Sequence, residues 1–155
     1  MYVLKRSVVI DTTIEKAWEF ISRPENLNLI TPDDMSFQII SDVPEDMFNG
    51  LLIEYLVSIP IMGKQRWLTE IKHIQDHVSF VDEQRVGPYK LWYHYHKIEP
   101  VEGGVLFTDE VTYEPPFSVF GKVANAVFIK KTLDRIFDYR TDRFKELLTS
   151  PAVAV

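Results

Sequence analysis

The strongest constraint on the fold is the stretch 117–148, which has helical periodicity and lies between two helix-breaking signals. It follows Pro115-Pro116, ends before Thr149-Ser150-Pro151, and contains one glycine and no proline. A helix of this length would extend about 45 Å, so it needs a broad apolar surface to lie on. Apolar residues recur every three or four positions, on one helical face, at Val119, Val123, Ala126, Ile129, Leu133, Ile136, Phe137, Phe144, Leu147 and Leu148.

Seven runs with the two-residue period of β-strands precede this helix and can supply that surface. Short turn signals rich in Gly, Pro and Asn separate the last six runs, which favours antiparallel neighbours joined as hairpins. We therefore predict an α+β fold of order β-α-α-β6-α, in which a curved antiparallel sheet of seven strands wraps around the long C-terminal helix. The predicted strands are Tyr2–Ile10, Met35–Ser41, Leu51–Ile59, Gln65–Gln75, His77–Arg85, Tyr89–Glu99 and Val105–Glu114.

Two short helices are predicted between the first and second strands. Thr12, with Glu15 three residues later, fits a capping box at the start of the first helix, which ends before Pro24. The second helix is expected over Glu25–Ile30, because Thr31-Pro32 then interrupts it.

Composition narrows the classes of function. A chain of 155 residues predicts a single domain, 1–155, large enough to fold around its own core. The formal charge of −6 argues against nucleic-acid binding, which begins with neutralising phosphates. No apolar run is long enough to cross a membrane, and the first eleven residues lack the pattern of a signal peptide. The absence of cysteine excludes thiolate chemistry and is compatible with the cytoplasm, where we expect the protein to lie.

Several short sequence motifs identify a fold family more specifically than the order of helices and strands does. They are Ala17-Trp18-Glu19-Phe20, Pro24-Glu25-Asn26-Leu27 leading into Ile30-Thr31-Pro32, Gly87-Pro88-Tyr89, Trp92 with His94 and His96, Thr108-Asp109-Glu110-Val111, and Pro116-Phe117 followed by Arg135-Ile136-Phe137-Asp138-Tyr139-Arg140. With the element order they resemble the helix-grip fold of the START-like, or SRPBCC, superfamily, and in particular small bacterial members labelled cyclase/dehydrase. That superfamily includes lipid-transfer domains, polyketide cyclases and pollen-allergen-like carriers, so the resemblance implies a cavity between sheet and long helix.

Alternation along the last strand places Asp109 in its otherwise apolar, inward-facing row. The hairpin before it then decides which residue of the preceding strand lies opposite. A two-residue loop at Gly103-Gly104 places Ile98 there, whereas a loop over 101–104 places His96 there. Both registers turn His94 and His96 inward. A three-residue loop would turn Lys97 inward instead, at a cost in desolvation.

The same alternation predicts an aromatic and aliphatic pocket with one polar corner. The predicted ligand-binding residues are Tyr55, Trp67, Phe80, Asp82, Gln84, Trp92, His94, His96, Phe107, Tyr113, Ile136 and Arg140. Arg140 lies within the apolar stripe of the long helix. It is predicted to reach the rim or to pair with a neighbouring Asp, with a ligand carboxylate as the alternative partner.

Three interpretations of the polar corner are open at the level of sequence. The histidines and carboxylates can form a buried hydrogen-bonded network. His94 or His96, oriented by Asp109, can act as an acid or base near neutral pH. The two histidines can also share a metal ion with a carboxylate, although His-x-His is a short motif that is common by chance. We assign His94, His96 and Asp109 as catalytic candidates and predict neither a metal nor another cofactor.

The sequence thus predicts a binding protein that encloses a small hydrophobic or aromatic molecule of lipid-like or polyketide-like character. The alternative is a cyclase or dehydratase that uses the same cavity.

The long helix has a second apolar face at Phe120, Ala124, Val127 and Phe128, which requires a cover. Flanking loops, a second copy of the chain or transient membrane docking can provide it. We expect a monomer or a weak homodimer, without stable membrane insertion.

Overall fold

A computed structural model describes residues 1–59, 63–115 and 122–149, with side chains described for all of these except 59 and 122–127. Within these ranges, seven strands and three helical segments follow one another as predicted. They are β1 (Tyr2–Ile10), α1 (Ile14–Ile21), a 3₁₀ helix (Pro24–Ile30), β2 (Ser36–Ile39), β3 (Leu51–Ile59), β4 (Gly63–Gln75), β5 (Ser79–Val86), β6 (Leu91–Val101), β7 (Gly104–Glu114) and α2 (Lys122–Leu148).

The strands form one antiparallel sheet in the order β1-β7-β6-β5-β4-β3-β2. Consecutive strands from β2 to β7 are neighbours, and β1 returns to pair with β7 along its whole length. The predicted helix-grip fold is therefore confirmed. The predicted start of the long helix at Phe117 lies outside the described residues, and α2 is described from Lys122. No described helix is both long enough and apolar enough to cross a membrane.

The first helix begins one residue later than the sequence indicates. Thr13, not Thr12, is its N-cap, with extended backbone angles and a side chain that accepts a hydrogen bond from the Lys16 amide at 3.3 Å. Glu15 therefore occupies the second helical position, where it cannot complete the predicted capping box. The Thr12 side chain is buried instead.

Ion pairs on both sides hold α2 against the rest of the chain. On one side, Arg6 of β1 reaches Asp134 at 2.7 Å and Asp138 at 2.9 Å. On the other side, the Arg135 guanidinium donates two hydrogen bonds to the Asp34 carboxylate, at 3.0 and 2.8 Å. These contacts are exposed or half-exposed, so they orient the helix more than they stabilise it.

Two apolar clusters lie between the sheet and the helices. The cavity-side cluster comprises Leu4, Leu51, Ile53, Tyr55, Val57, Trp67, Ile71, Phe80, Trp92, Val111, Tyr113, Leu133 and Phe137. The hairpin-side cluster comprises Ile10, Ala17, Ile30, Ile98, Val105, Phe107 and Phe144. Helix α2 contributes to both, with Phe137 in the first cluster and Phe144 two turns later in the second.

The turn between β6 and β7 fits closely against the end of β1. Gly104 has a φ of 134°, and a Cβ atom added there would lie 2.0 Å from the carbonyl oxygen of Ile10. Gly103 has a φ of 88° but open space around the position of a Cβ.

Gly104→Ala is therefore expected to lower the free energy of unfolding by about 1–3 kcal/mol from backbone strain alone, with a further loss from the clash with β1. Gly103→Ala is the matched control, since it carries strain without the clash. Urea denaturation of both variants measures the difference. Equal losses in the two variants would show that the approach of β1 to the hairpin does not limit the residue at position 104.

Candidate functional site

A cavity of about 180 Å³ lies between the inner face of β3–β6, the 3₁₀ helix and α2. Strand alternation explains its walls, because alternate residues in the central parts of β3, β4 and β6 are directed inward and buried. Nine of the predicted ligand-binding residues line it, namely Tyr55, Trp67, Phe80, Asp82, Trp92, His94, His96, Ile136 and Arg140. The wall is largely apolar and includes eight Phe, Tyr and Trp side chains, and the indole N–H of Trp67 donates to the hydroxyl of Thr69 at 3.2 Å.

Three predicted ligand contacts lie elsewhere, and each correction has a local cause. The Gln84 amide donates to the carbonyl of Tyr89 at 2.7 Å and accepts from its N–H at 3.2 Å, so it closes the β5–β6 loop where strand pairing has stopped. Phe107 belongs to the hairpin-side cluster, with its ring 4.8 Å from that of Phe144. Tyr113 is near the end of β7, stacked on Tyr2 at 5.6 Å.

Sequence reasoning missed the part of the wall that does not come from regular strands. Leu27 and Ile30 of the 3₁₀ helix line the cavity, as do Met35 and Met47 from the segments that flank β2. Leu27 and Ile30 are three residues apart, and that spacing was a usable signal. The two methionines lie in irregular segments, where neither helical nor strand periodicity indicates a direction.

The β6–β7 hairpin has the register that places His96 opposite Asp109. Val101 pairs with Gly104, and the pairing continues through His96 and Asp109 to Leu91 and Glu114. On the other side of β6, Asp82 of β5 is the register partner of His94. Two histidines and two carboxylates are thus brought together on three adjacent strands.

These four side chains and Arg140 form a compact group, which we call the polar layer. His94 Nε2 lies 2.9 Å from Asp109 Oδ1, and His94 Nδ1 lies 3.3 Å from Asp82 Oδ2. His96 Nε2 lies 2.6 Å from Asp82 Oδ2, and His96 Nδ1 lies 3.2 Å from Asp109 Oδ1. The centroids of the two imidazole rings are 3.7 Å apart, and their planes are tilted by 34°. Each ring nitrogen therefore faces a carboxylate oxygen.

Arg140 completes the polar layer from the helix. Its Nε lies 3.0 Å from Asp109 Oδ2, an ion-pair contact whose alignment is not that of a hydrogen bond. One of its terminal nitrogens lies 3.3 Å from His96 Nδ1. The side chain is only 7% exposed and lies between the rings of Phe137 and Phe144, at 5.9 and 5.0 Å. Of the two predicted arrangements, a rim position or pairing with a neighbouring Asp, the structure shows the pairing.

The contacts indicate which ring nitrogens of His94 and His96 carry protons. A guanidinium only donates, so the contact from Arg140 requires a lone pair on His96 Nδ1, and His96 then donates through Nε2 to Asp82. His94 also faces a carboxylate with both nitrogens but, unlike His96, has no contact from Arg140, which favours two N–H groups and a positive ring. The charges of His94 and Arg140 then balance those of Asp82 and Asp109.

The electrostatics of His94 and the carboxylates agree with this arrangement. Burial alone disfavours a charged His94, but the negative charge of Asp82 and hydrogen bonds to both carboxylates outweigh it and raise the pKa of His94 above its ordinary 6.5. For Asp109, burial is likewise opposed, by Arg140 and by the two histidines, which together hold its pKa well below 3.8. The pKa of Asp82 is lowered in the same way by His94 and His96.

A pH dependence of stability follows for chelator-treated protein. Since the folded pKa of His94 is raised, its contribution is complete below pH 6.5 and is lost as the pH rises through the folded value. Since the pKa values of Asp82 and Asp109 are lowered, their contributions are complete above pH 3.8 and are lost as the pH falls through the folded values. The polar layer is therefore expected to stabilise the fold most between these limits.

Urea denaturation across this pH range tests the prediction. The decline above pH 6.5 should disappear in His94→Gln and persist in His77→Gln, since His77 is exposed. Parallel profiles for the wild type and His94→Gln would contradict it.

Comparison with known proteins identifies the fold. No family model and no curated protein matches the chain. A solved protein from Chromobacterium violaceum superposes with a TM-score of 0.73 at 9% identity, over 97% of this chain and 100% of its own. A START superfamily protein from Mycobacterium smegmatis gives a TM-score of 0.70 at 13% identity, over 95% of this chain and 99% of its own. The chain has the START-like helix-grip fold.

A further structural match is longer than this chain. A nucleoside-diphosphate sugar epimerase from Corynebacterium glutamicum superposes on 92% of this chain with a TM-score of 0.65 and 22% identity, but only 28% of the epimerase chain is covered. The same fold therefore also occurs as part of a larger protein. At these identities the likeness concerns the fold alone.

Proposed function

We propose that the protein binds a small, largely apolar and aromatic molecule with one neutral polar group, enclosed between the sheet and α2. The observation that carries the proposal is the aromatic cavity with a polar layer along one part of its wall. Apolar walls with a few convergent polar groups are the usual composition of small-molecule sites. The START-like fold supports the general class of hydrophobic-ligand binding.

The size of the cavity limits the ligand. Its volume of about 180 Å³ is below the range of roughly 300–1,000 Å³ typical of sites for drug-sized molecules. A molecule of one or two rings, or a short acyl chain, fits this space better than a complete membrane lipid or a multi-ring polyketide. Among the lipid-like and polyketide-like ligands that the sequence predicts, we therefore favour the smallest molecules.

The polar layer indicates the kind of group that the ligand presents. His94 and Arg140 already balance the charges of Asp82 and Asp109, so a charged ligand group would introduce an uncompensated charge into a buried site. A carbonyl or hydroxyl group exchanges hydrogen bonds without that cost. We therefore expect chelator-treated protein to bind phenols and aryl ketones better than aryl carboxylates of the same size.

Native mass spectrometry of the protein as purified, compared with its denatured mass, is the first test. A bound mass that disappears on denaturation supports the proposal and identifies the molecule. Titration with a panel of phenols and aryl ketones is the second test. Trp67 and Trp92 line the cavity, so their emission should change and saturate at one ligand per chain.

Ile136→Trp is the matched variant, because Ile136 lines the cavity and a larger side chain would occupy the ligand space. Calorimetric titration should show at least a tenfold loss of affinity in this variant. Leu147→Trp, at a position of the same helix that is 38% exposed, should bind as the wild type does. Absence of both a bound mass and saturable binding, or equal affinity in the two variants, would contradict the proposal.

A second candidate function is a cyclase or dehydratase of polyketide-like substrates, favoured by the two imidazoles in the wall of an apolar cavity. His94 or His96 would move the proton, and Asp109 would orient the ring. The geometry supports this function less well than binding, because every ring nitrogen already faces a carboxylate. Incubation with aryl β-hydroxy ketones tests it, since loss of one water by mass must occur in the wild type and not in His94→Gln or His96→Gln.

A further inference from the structure

The carboxylate of Asp82 is shared by two imidazoles, and its distance to one of them matches the spacing between two ligands of a metal ion. Its Oδ2 lies 3.3 Å from His94 Nδ1 and 2.6 Å from His96 Nε2. One ligand atom from each of the three residues lies within 4.8 Å of the others. We propose that Asp82, His94 and His96 bind a divalent transition-metal ion at the wall of the cavity.

Asp109 occupies the position of an outer carboxylate in such a site. Metal-binding histidines commonly donate their second N–H to a carboxylate, which fixes the ring orientation and raises the basicity of the ligand. Asp109 Oδ1 lies 2.9 Å from His94 Nε2 and 3.2 Å from His96 Nδ1, the two nitrogens that face away from Asp82. Arg140 holds this buried carboxylate from the helix, with Nε at 3.0 Å. With Nε2 bound to the metal, His96 would carry its proton on Nδ1 and donate to Asp109, in place of the contact that Nδ1 accepts from Arg140 in the metal-free protein. One side chain would then orient both histidines.

The donor set indicates the class of metal. Two imidazole nitrogens and one carboxylate oxygen suit zinc, iron(II), cobalt and nickel better than calcium or magnesium, which prefer oxygen ligands. The chain has no cysteine, so it has no thiolate to draw a softer ion elsewhere. Ligand atoms about 3.3 Å apart correspond to tetrahedral bonds near 2.0 Å. The contact of Asp82 with His94 has this spacing, and the contact with His96 must lengthen.

The histidine rings must turn before they share an ion. Their planes are tilted by 34° with centroids 3.7 Å apart, whereas a metal lies near the plane of each ring that binds it. Asp82, His94 and His96 all line the cavity. Three protein ligands leave a position open for water or for the polar group of a bound molecule, as in catalytic zinc sites. Binding of the metal ion requires these three side chains and does not depend on which molecule occupies the cavity.

Cobalt(II) titration of chelator-treated full-length protein tests the site, since its visible absorption reports coordination by nitrogen and oxygen. We expect one ion per chain, displaced by zinc. Affinity should fall at least 100-fold in His94→Gln, His96→Gln and Asp82→Asn. Asp109→Asn should cost about 10–100-fold, as loss of an outer partner does. The chain has four histidines, so the double variant His73→Gln/His77→Gln is the matched control and should bind as the wild type does.

A measurement on wild-type protein avoids reliance on variants that fold poorly. In long-range ¹H–¹⁵N spectra, zinc should shift Nδ1 of His94 and Nε2 of His96 and leave the rings of His73 and His77 unchanged. Absence of a shift at millimolar zinc, shifts confined to His73 and His77, or loss of cobalt binding in the control variant would each overturn the proposal. A failed cobalt titration leaves the binding of phenols and aryl ketones intact, so the two proposals are tested separately.

Discussion

Replacement of Arg140 by methionine is expected to lower the free energy of unfolding by about 3–5 kcal/mol, the usual cost of removing one partner from a buried ion pair. The variant keeps most of the side-chain volume between Phe137 and Phe144, so the loss reports charge more than packing. Asp109 would stay buried with only the histidines to compensate it. Urea denaturation near pH 6 measures the change.

Arg135→Met is the matched control on the same helix. Arg135 makes a two-bond contact with Asp34, but both side chains are about half exposed, so the expected loss is about 0–1 kcal/mol. Similar losses in the two variants would show that the polar layer has no special energetic role. Combining Arg140→Met with Asp109→Asn should recover part of the loss, since the unpaired carboxylate is then removed.

Truncation of Phe137 to alanine should have two effects, because this ring belongs to the cavity-side cluster and also lines the cavity. The free energy of unfolding is expected to fall by about 3–5 kcal/mol, as for other buried aromatic residues. The cavity is expected to grow by the volume of the lost ring. The variant should then bind two-ring phenols and ketones more tightly relative to one-ring ones, as measured by calorimetry.

Phe128→Ala is the control for this variant. Phe128 lies on the same helix but is 49% exposed, so its truncation should change stability by no more than about 0.5 kcal/mol. Its three companions on the predicted second apolar face, Phe120, Ala124 and Val127, lie outside the residues whose side chains are described. If Phe137→Ala changes stability but not the relative affinity for larger ligands, the ring does not limit the size of the site.

The fold was predictable because local periodicity and turn chemistry agree along the chain. The alternating rows of β5, β6 and β7 gave the inward faces, and these faces placed Asp82, His94, His96 and Asp109 together. The sequence left two registers of the β6–β7 hairpin open, since both have Gly103-Gly104 in or beside the turn. Pairing over eleven residues selects the register in which His96 faces Asp109.

The rest of the site depends on contacts that the pattern of one strand does not encode. Gln84 follows the alternation but leaves the cavity, because the β5–β6 loop offers it two backbone partners. Met35 and Met47 enter the wall from irregular segments. Thr13 replaces Thr12 as the helix cap, since either threonine can serve as an N-cap and the spacing of Thr12 to Glu15 favoured the wrong one. The cavity volume depends on how all these side chains fill the space together.

The position of Arg140 between Phe137 and Phe144 also limits how the cavity of this protein can evolve to bind longer ligands. Arg140 is part of the cavity wall and pairs with Asp109, so a ligand cannot extend through this part of the wall without displacing one of them. Selection for longer ligands would have to act on other parts of the wall, such as the 3₁₀ helix and the segments beside β2. The residues beneath the polar layer, such as Phe107 and Phe144, would then vary with the demands of folding and not with those of the ligand.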